Sequence, residues 1–590
     1  MKNKLSLKWD LETIFSGGSQ SVELEHYIEE AQQWLEKLGD QLTPFSQSPE
    51  LDQLLTLVET IRQVDIHNGE ISAFVSCLTA QDVNDKQAKQ LVGTRNQLGA
   101  TSEKLVTQFS FALSRVDDQT WDKWQADEKI KPISFILNEL RDEAREKLPE
   151  EQEQLITDLE IDGYHGWGEM YDTIVGSMSV DWEGEQLSIG QLENKLNHSD
   201  RAVRKLAFEK LEQVWHEKAD LFTDTLNHLA GFRLQTYSHR NWGEVLKEPL
   251  TYNRMTNKTL TTMWETISNN KSSFYPYLDR KAEQFNVEQL AWYDLEAPIS
   301  QETKEVSYDD AAEIIVKQFG QFSERMAEYA TLAFEKSWIE AEDRAGKRPG
   351  GFCTSFPNSK QSRIFMIYSN TATNMATLAH ELGHGYHQYV MDDVDQLNQG
   401  YAMNVAETAS TLAEMIVADA MVEEAETDAE RLVLIEDKIQ RSVAFFMNIH
   451  ARFLFETRFY EARKAGFVST EKLNQLMEDA QKEAYGDQLS EYHPVFWAAK
   501  LHFHITGVPF YNFPYTFGYL FSLGIYAYAK TDKGNFADFY DALLKDTGRM
   551  TVEELAKKHL NVDLEQADFW QKAIDLCIED VEKFLALTDK

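Results

Sequence analysis

The stretch that most restricts this chain runs from residue 374 to 421, opening NMATLAHELGHGYHQYV and closing AMNVAETASTLAEMIVADAM. His380 and His384 stand four apart, with Glu381 directly after the first histidine. On a helix, positions i and i+4 share a face, so two imidazoles can meet one metal ion while the carboxylate beside them does not ligate. This HExxH spacing suits zinc carrying a water at an open position. Met375, Leu378, Ala379, Leu382 and Tyr386 supply the apolar face, and Thr373 or Asn374 is the expected N-cap. Gly383 and Gly385 each cost about 1 kcal/mol of helix propensity against alanine. An ordinary structural helix gains nothing from them, whereas a helix that admits a ligand or a second helix at close range does.

A catalytic zinc of this kind needs a third protein ligand. A second helical pattern starts near Ala402. Within it, VAETASTLAEM places Glu407 and, two turns along the same face, Glu414. Glu407 is the expected third ligand. Glu414 is read as the carboxylate that orients one of the histidines, with a surface carboxylate as its alternative. Asp392, Asp393 and Asp395 fall in the connecting loop and read as solvated.

The blocks TLAHELGHGYH and VAETASTLAE resemble the M3 metallopeptidases, specifically the oligoendopeptidase F branch. The likeness extends to WDLETIF, DGYHGWGEMYD, WYDLEAPIS and LHFHITGVPFYNFPYTFGYLFS, so it covers nearly the whole chain. The resemblance implies one Zn2+ per chain on His380, His384 and Glu407, with Glu381 as general base. It also implies a mainly α, zincin-like fold whose helical halves enclose a deep substrate channel, with a small β-sheet beside the HExxH helix. Short peptides are the implied substrates. Family members carry a His and Tyr set in a glycine-containing segment, and here residues 501–526 offer His502, His504, Tyr511, Tyr515 and Tyr519. Two readings stand: an aromatic packing seam, or hydroxyls and an imidazole that stabilise the oxyanion. His502, Tyr511, Tyr515 and Tyr519 form the preferred catalytic set.

The remaining sequence bounds these expectations. Its 590 residues suggest about two to four domains. Helical spacing dominates residues 1–190, read as an N-terminal helical domain covering the channel, and residues 191–590 are read as the catalytic domain. A hairpin turning near Glu183 and Gly184 marks the approach to the boundary. Ser199 is the expected cap of the helix that follows, and Ser307 with Asp310 reads as a capping arrangement for another. A net charge of −40 argues against nucleic acid and anionic membranes as partners. Cys77, Cys353 and Cys577 support neither a disulfide framework nor a thiolate metal site. No run approaches the roughly 18 apolar residues of a membrane span, and the N-terminus carries charge and Trp9 where a signal core would be apolar, so a cytoplasmic location is expected.

His67, His165 and His450 read as core or loop histidines, Cys353 as an incidental buried thiol, and the run EEQEQ near Glu150 as a solvated face. Residues 362–368 read as a strand just ahead of the metal helix. As an edge strand it can hold an extended peptide; as an internal strand it cannot. The expected activity is hydrolysis of short oligopeptides by metal-activated water. Its rivals are a helical zinc carboxypeptidase or dipeptidase, needing Arg348 or Arg363 to hold a free C-terminus, and a non-catalytic peptide-binding scaffold.

Overall fold

A computed structural model of the protein describes residues 4–300, 305–531 and 536–589. It is mainly helical, with a two-stranded and a three-stranded sheet among the described residues. The first long helices, Val22–Gln47, Leu51–Gln81 and Lys86–Ser114, follow from apolar residues spaced three and four apart. Ser21 Oγ and Asp85 Oδ1 accept the backbone N–H of Leu24 and Ala88, capping two of them. Their buried faces build one hydrophobic core, from Trp9 to Leu137, into which Phe356 and Phe365 insert from the three-stranded sheet. A second, larger core begins at Tyr164 and runs to Phe584. The core therefore changes over ahead of residue 190, because the hairpin that shifts the composition packs with the second core.

That hairpin pairs β1 (Ser179–Trp182) with β2 (Glu185–Ser188). It turns at Glu183 (φ 54°) and Gly184 (φ 93°), the left-handed pair of a two-residue loop. The helix Arg201–His239 is capped by Asp200 rather than Ser199, whereas Ser307 does cap Tyr308–Phe322 by accepting the Asp310 N–H.

The second sheet has the order β3 (Ile339–Glu340), β5 (Gln361–Phe365), β4 (Phe352–Phe356). β3 is parallel and β4 antiparallel to β5. The strand expected at 362–368 is thus β5, and it is central. β4 lies at the edge.

The HExxH helix spans Ala372–Met391 and is capped by Thr371, whose hydroxyl accepts the Asn374 N–H at 3.1 Å. The carboxylate helix, Met403–Glu424, has no side-chain cap of its own; Asn253 Oδ1 accepts the Asn404 N–H at 3.1 Å from a distant element. These two helices cross at Gly383. A Cβ there would lie 2.5 Å from the Ala409 carbonyl oxygen and 2.6 Å from Ser410 Cα. The glycine is what lets the backbones meet. Gly518, on the helix Phe513–Thr531, does the same from a third side, where a Cβ would lie 3.0 Å from the Asn404 carbonyl and 3.2 Å from Glu407 Cβ.

Charged pairs join the two cores. Arg62 holds Asp395 in a fork of 2.7 and 3.1 Å, and Arg254 holds Glu139 with two bonds of 2.7 Å. Asp395, expected in solvent, is therefore a structural anchor. Glu153 of the EEQEQ run is likewise buried against Arg240. His67 stacks on Tyr27 at 4.5 Å and His450 on Trp264 at 4.4 Å, both as packed histidines. His165 meets Thr506 Oγ1 at 2.7 Å.

Replacing Gly383 by Ala places a methyl group against a backbone that cannot move aside as a flexible side chain would. A loss of about 1–3 kcal/mol is expected, read as a lowered unfolding midpoint, together with weakened metal uptake. Unchanged values for both would refute the close-approach role.

Candidate metal centre

One turn of the HExxH helix projects His380 and His384 toward the carboxylate helix, their ring centroids 4.9 Å apart. Glu407 Oε2 lies 3.3 Å from His380 Nε2 and 3.5 Å from His384 Nε2. One ligand atom from each of the three falls within 4.8 Å of the others. A tetrahedral site with bonds of about 2.0–2.1 Å has ligand-to-ligand edges of roughly 3.3–3.4 Å. The donor set is two imidazoles and a carboxylate at that spacing, so it fits a small divalent metal ion.

The surroundings fix these donors. Ser410 Oγ donates to Glu407 Oε2 at 2.8 Å. Glu414 Oε2 meets His380 Nδ1 at 3.3 Å, and its other oxygen pairs with Arg441. The chain Arg441–Glu414–His380 sets which imidazole nitrogen faces Glu407. Burial disfavours a charged His380, yet its hydrogen bonds to Glu407 and Glu414 outweigh that and raise it to about 10. Burial also opposes ionisation of Glu407, but the two histidines and Ser410 pull it down to about 2. Burial and the His380 charge hold His384 down to about 4. His380 thus lies between two carboxylates, with Nδ1 toward Glu414 and Nε2 toward Glu407.

Glu381 is buried, and its Oε2 has no hydrogen-bond partner among the described residues. Burial raises its carboxyl to about 7. Gly351, just before β4, sits against its Oε1. A carboxylate left without a partner beside a metal-fitting donor set is placed to exchange protons with whatever binds there.

The aromatic block divides. His502, Tyr511 and Tyr515 cluster, with ring centroids 5.3 Å (His502–Tyr511), 6.2 Å (His502–Tyr515) and 5.2 Å (Tyr511–Tyr515) apart. Tyr515 lies within electrostatic reach of Glu407. Burial, then the charges of Arg452 and Lys500, hold the His502 imidazole down to about 4. Tyr511 precedes the helix, which begins at Phe513, so the three tyrosines do not form one helical stripe. Tyr519 differs from expectation. It is buried, its hydroxyl bonds Ser442 Oγ at 2.9 Å and lies 3.7 Å from Cys577 Sγ, and its ring stacks on Phe445. His504 is fully enclosed and stacked on Tyr171 at 4.0 Å.

Sequence reasoning missed Arg441, Ser410 and Gly351. Of these only Ser410 carried a local signal, three residues after Glu407 on one helix face. Of the two arginines proposed for a free C-terminus, Arg363 is buried and bonded to the Asp10 carbonyl and Thr13 Oγ1, whereas Arg348 is exposed beside Phe352.

Comparison with known proteins agrees with the geometry. The sequence model of peptidase family M3 matches residues 194–576. The chain belongs to peptidase family M3. It is therefore a metalloendopeptidase. A second model, described as Oligopeptidase F, matches residues 113–179. An oligoendopeptidase F homolog of Lactococcus lactis is 22% identical over 99% of this chain and 98% of its own length. A crystal structure from Chlamydophila abortus overlays with a TM-score of 0.84 at 18% identity, covering 99% of each chain. Oligoendopeptidase-F from Enterococcus faecium overlays with a TM-score of 0.70, at 18% identity over 96% of this M3 chain and 99% of the other. No helix among the described residues is long and apolar enough to cross a membrane.

Because the hydrogen bonds of His380 to Glu407 and Glu414 favour its charged form, and a metal takes up only the neutral imidazole, binding of a divalent ion should release protons. Titration calorimetry in buffers of differing ionisation enthalpy reads this directly. The affinity should rise with pH, because fewer protons then compete. Binding that releases no proton would contradict the bridging arrangement.

Proposed function

We propose that this M3 peptidase is a zinc-dependent endopeptidase that cleaves short oligopeptides, with Glu381 as general base. The observation that carries this reading is the His380–His384–Glu407 donor set lying beside the partnerless carboxylate of Glu381. A zinc ion held by those three side chains would supply a Lewis acid and a water whose pKa falls to about 7. Glu381 takes a proton from the attacking water and returns it to the departing amine. Its carboxyl is buried beside the donor set, and its Oε2 makes no hydrogen bond among the described residues, which leaves it free for both transfers. Tyr515 and Tyr511, with the neutral imidazole of His502, offer donors to the scissile carbonyl oxygen as negative charge builds there.

The substrate backbone is read as lying along β4. An edge strand can hold an extended peptide by main-chain hydrogen bonds, which give affinity without demanding particular side chains. Gly351 leads from Glu381 into that strand. The N-terminal helical region, through residue 190, is read as the cover that restricts entry to short peptides in the cytoplasm. With Arg363 engaged in the fold, the carboxypeptidase alternative loses one of its two candidate arginines.

Glu381→Gln should retain one metal per chain by elemental analysis and lose about 10²–10⁴-fold in kcat. Turnover at the parent's rate would remove Glu381 from the reaction. Peptide mixtures digested with and without a chelator should yield products from internal bonds, including those of end-blocked peptides, with activity restored by zinc.

The two tyrosines should separate. Tyr515→Phe is expected to lower kcat by about 10²-fold or more, whereas Tyr519→Phe should act on the unfolding midpoint and leave kcat near the parent's. The reverse pattern would reassign the oxyanion donor.

A further inference from the structure

Two half-buried cations, Arg452 and Lys500, make no ion pair with a carboxylate among the described residues. Arg452 and Lys500 flank the ring of Phe496, at 5.4 Å and 5.2 Å from its centroid. Both line a cavity of about 220 Å³ whose walls include Trp292, Tyr485 and Phe496. Arg452 Nε donates to Asn448 Oδ1 at 2.8 Å. Among the described residues neither cation makes an ion pair. Glu193 and the exposed Glu296 are the acids on the cavity wall, close enough to be felt electrostatically by Lys500 and, for Glu296, by Arg452. Burial lowers Arg452 to about 10 and also lowers Lys500, which the Arg452 charge depresses further.

Holding two positive groups partly withdrawn from water, close together and without an ion-pair partner among the described residues, is costly. An aromatic wall returns part of that cost, and a bound anion would return more. The pair also adjoins the catalytic side chains. His502 follows Lys500 by two residues, and its ring meets Tyr511 and Tyr515. Tyr515 lies within electrostatic reach of both Glu407 and Arg452. In a chain of net charge −40, most surfaces repel an anionic peptide, so a local pair of cations is where such a peptide would be held.

We infer that Arg452 and Lys500 form a subsite for a carboxylate of the bound peptide, supplied by its C-terminus or by an acidic side chain. This rests on the peptidase reading above. The guanidinium can grip a carboxylate through two parallel hydrogen bonds, which a lysine cannot reproduce. Trp292, Tyr485 and Phe496 would pack the peptide's apolar atoms around the anchored charge.

The test uses three peptides with one scissile sequence: a free acid, its C-terminal amide, and the amide carrying one Gln→Glu change. The full-length zinc-loaded enzyme should prefer at least one carboxylate peptide over the plain amide by about tenfold in kcat/KM, mainly through KM, the size of one charge-assisted hydrogen bond. Arg452→Met and Lys500→Met should each bring that ratio close to one, and Arg452→Lys should restore part of it. Preference for the free acid assigns the chain terminus, and preference for the glutamate peptide assigns a side chain; either supports the subsite. Equal cleavage of all three by the parent, or ratios unchanged in the variants, would overturn it. Calorimetric binding of the same peptides repeats the ratio without turnover, so absent cleavage would count against the peptidase reading alone. Lys500→Met keeps the test decisive should Arg452→Met fail to fold.

Discussion

The centre depends on one backbone contact. Gly383 has no side chain, and the carboxylate helix uses that space to bring its own backbone at Ala409 and Ser410 against the HExxH helix. At that separation Glu407, just one turn back, reaches the Nε2 atoms of His380 and His384 together. A methyl group at the crossing would push the helices apart, and a ligand carboxylate tolerates little displacement. Gly518 repeats the device beside Glu407, so helices on both sides hold the third donor in place.

Around this contact the charges alternate: Arg441, Glu414, His380, Glu407. Each group is partly withdrawn from water and stabilised by the next, and removing any one would strand its neighbours. Glu381 stands outside the ladder. Its Oε2 has no hydrogen-bond partner among the described residues, and burial lifts the carboxyl toward neutrality. Two glutamates seven residues apart on one helix and a third beside a histidine thus stand in distinct electrostatic surroundings.

The N-terminal helices matter to the peptidase although they contribute no metal ligand. Phe356 and Phe365 lie in their core, and Arg62 grips Asp395 beyond the HExxH helix. The sheet carrying the edge strand is therefore held between the two cores.

The HExxH spacing, the glutamate helix and the helical character of most of the chain were all legible in the sequence, because each arises from residues within a few turns of one another. Periodicity fixes which side chains share a face, and that fixes which donors can meet. What lay beyond reach came from distant segments. Tyr519 shares a helix face with Tyr515 yet is enclosed by Ser442 and Cys577, since one turn further along the axis that face packs into the core. β5 has the alternation of a strand, but only its neighbours make it central and leave β4 at the edge. Arg441 and Asn253 carry no local mark of their tasks, and Arg452 and Lys500 are ordinary cations until folding brings both against the ring of Phe496. Local pattern chooses the elements and their faces; whether a face meets solvent, core or site is decided by packing between elements far apart in the chain.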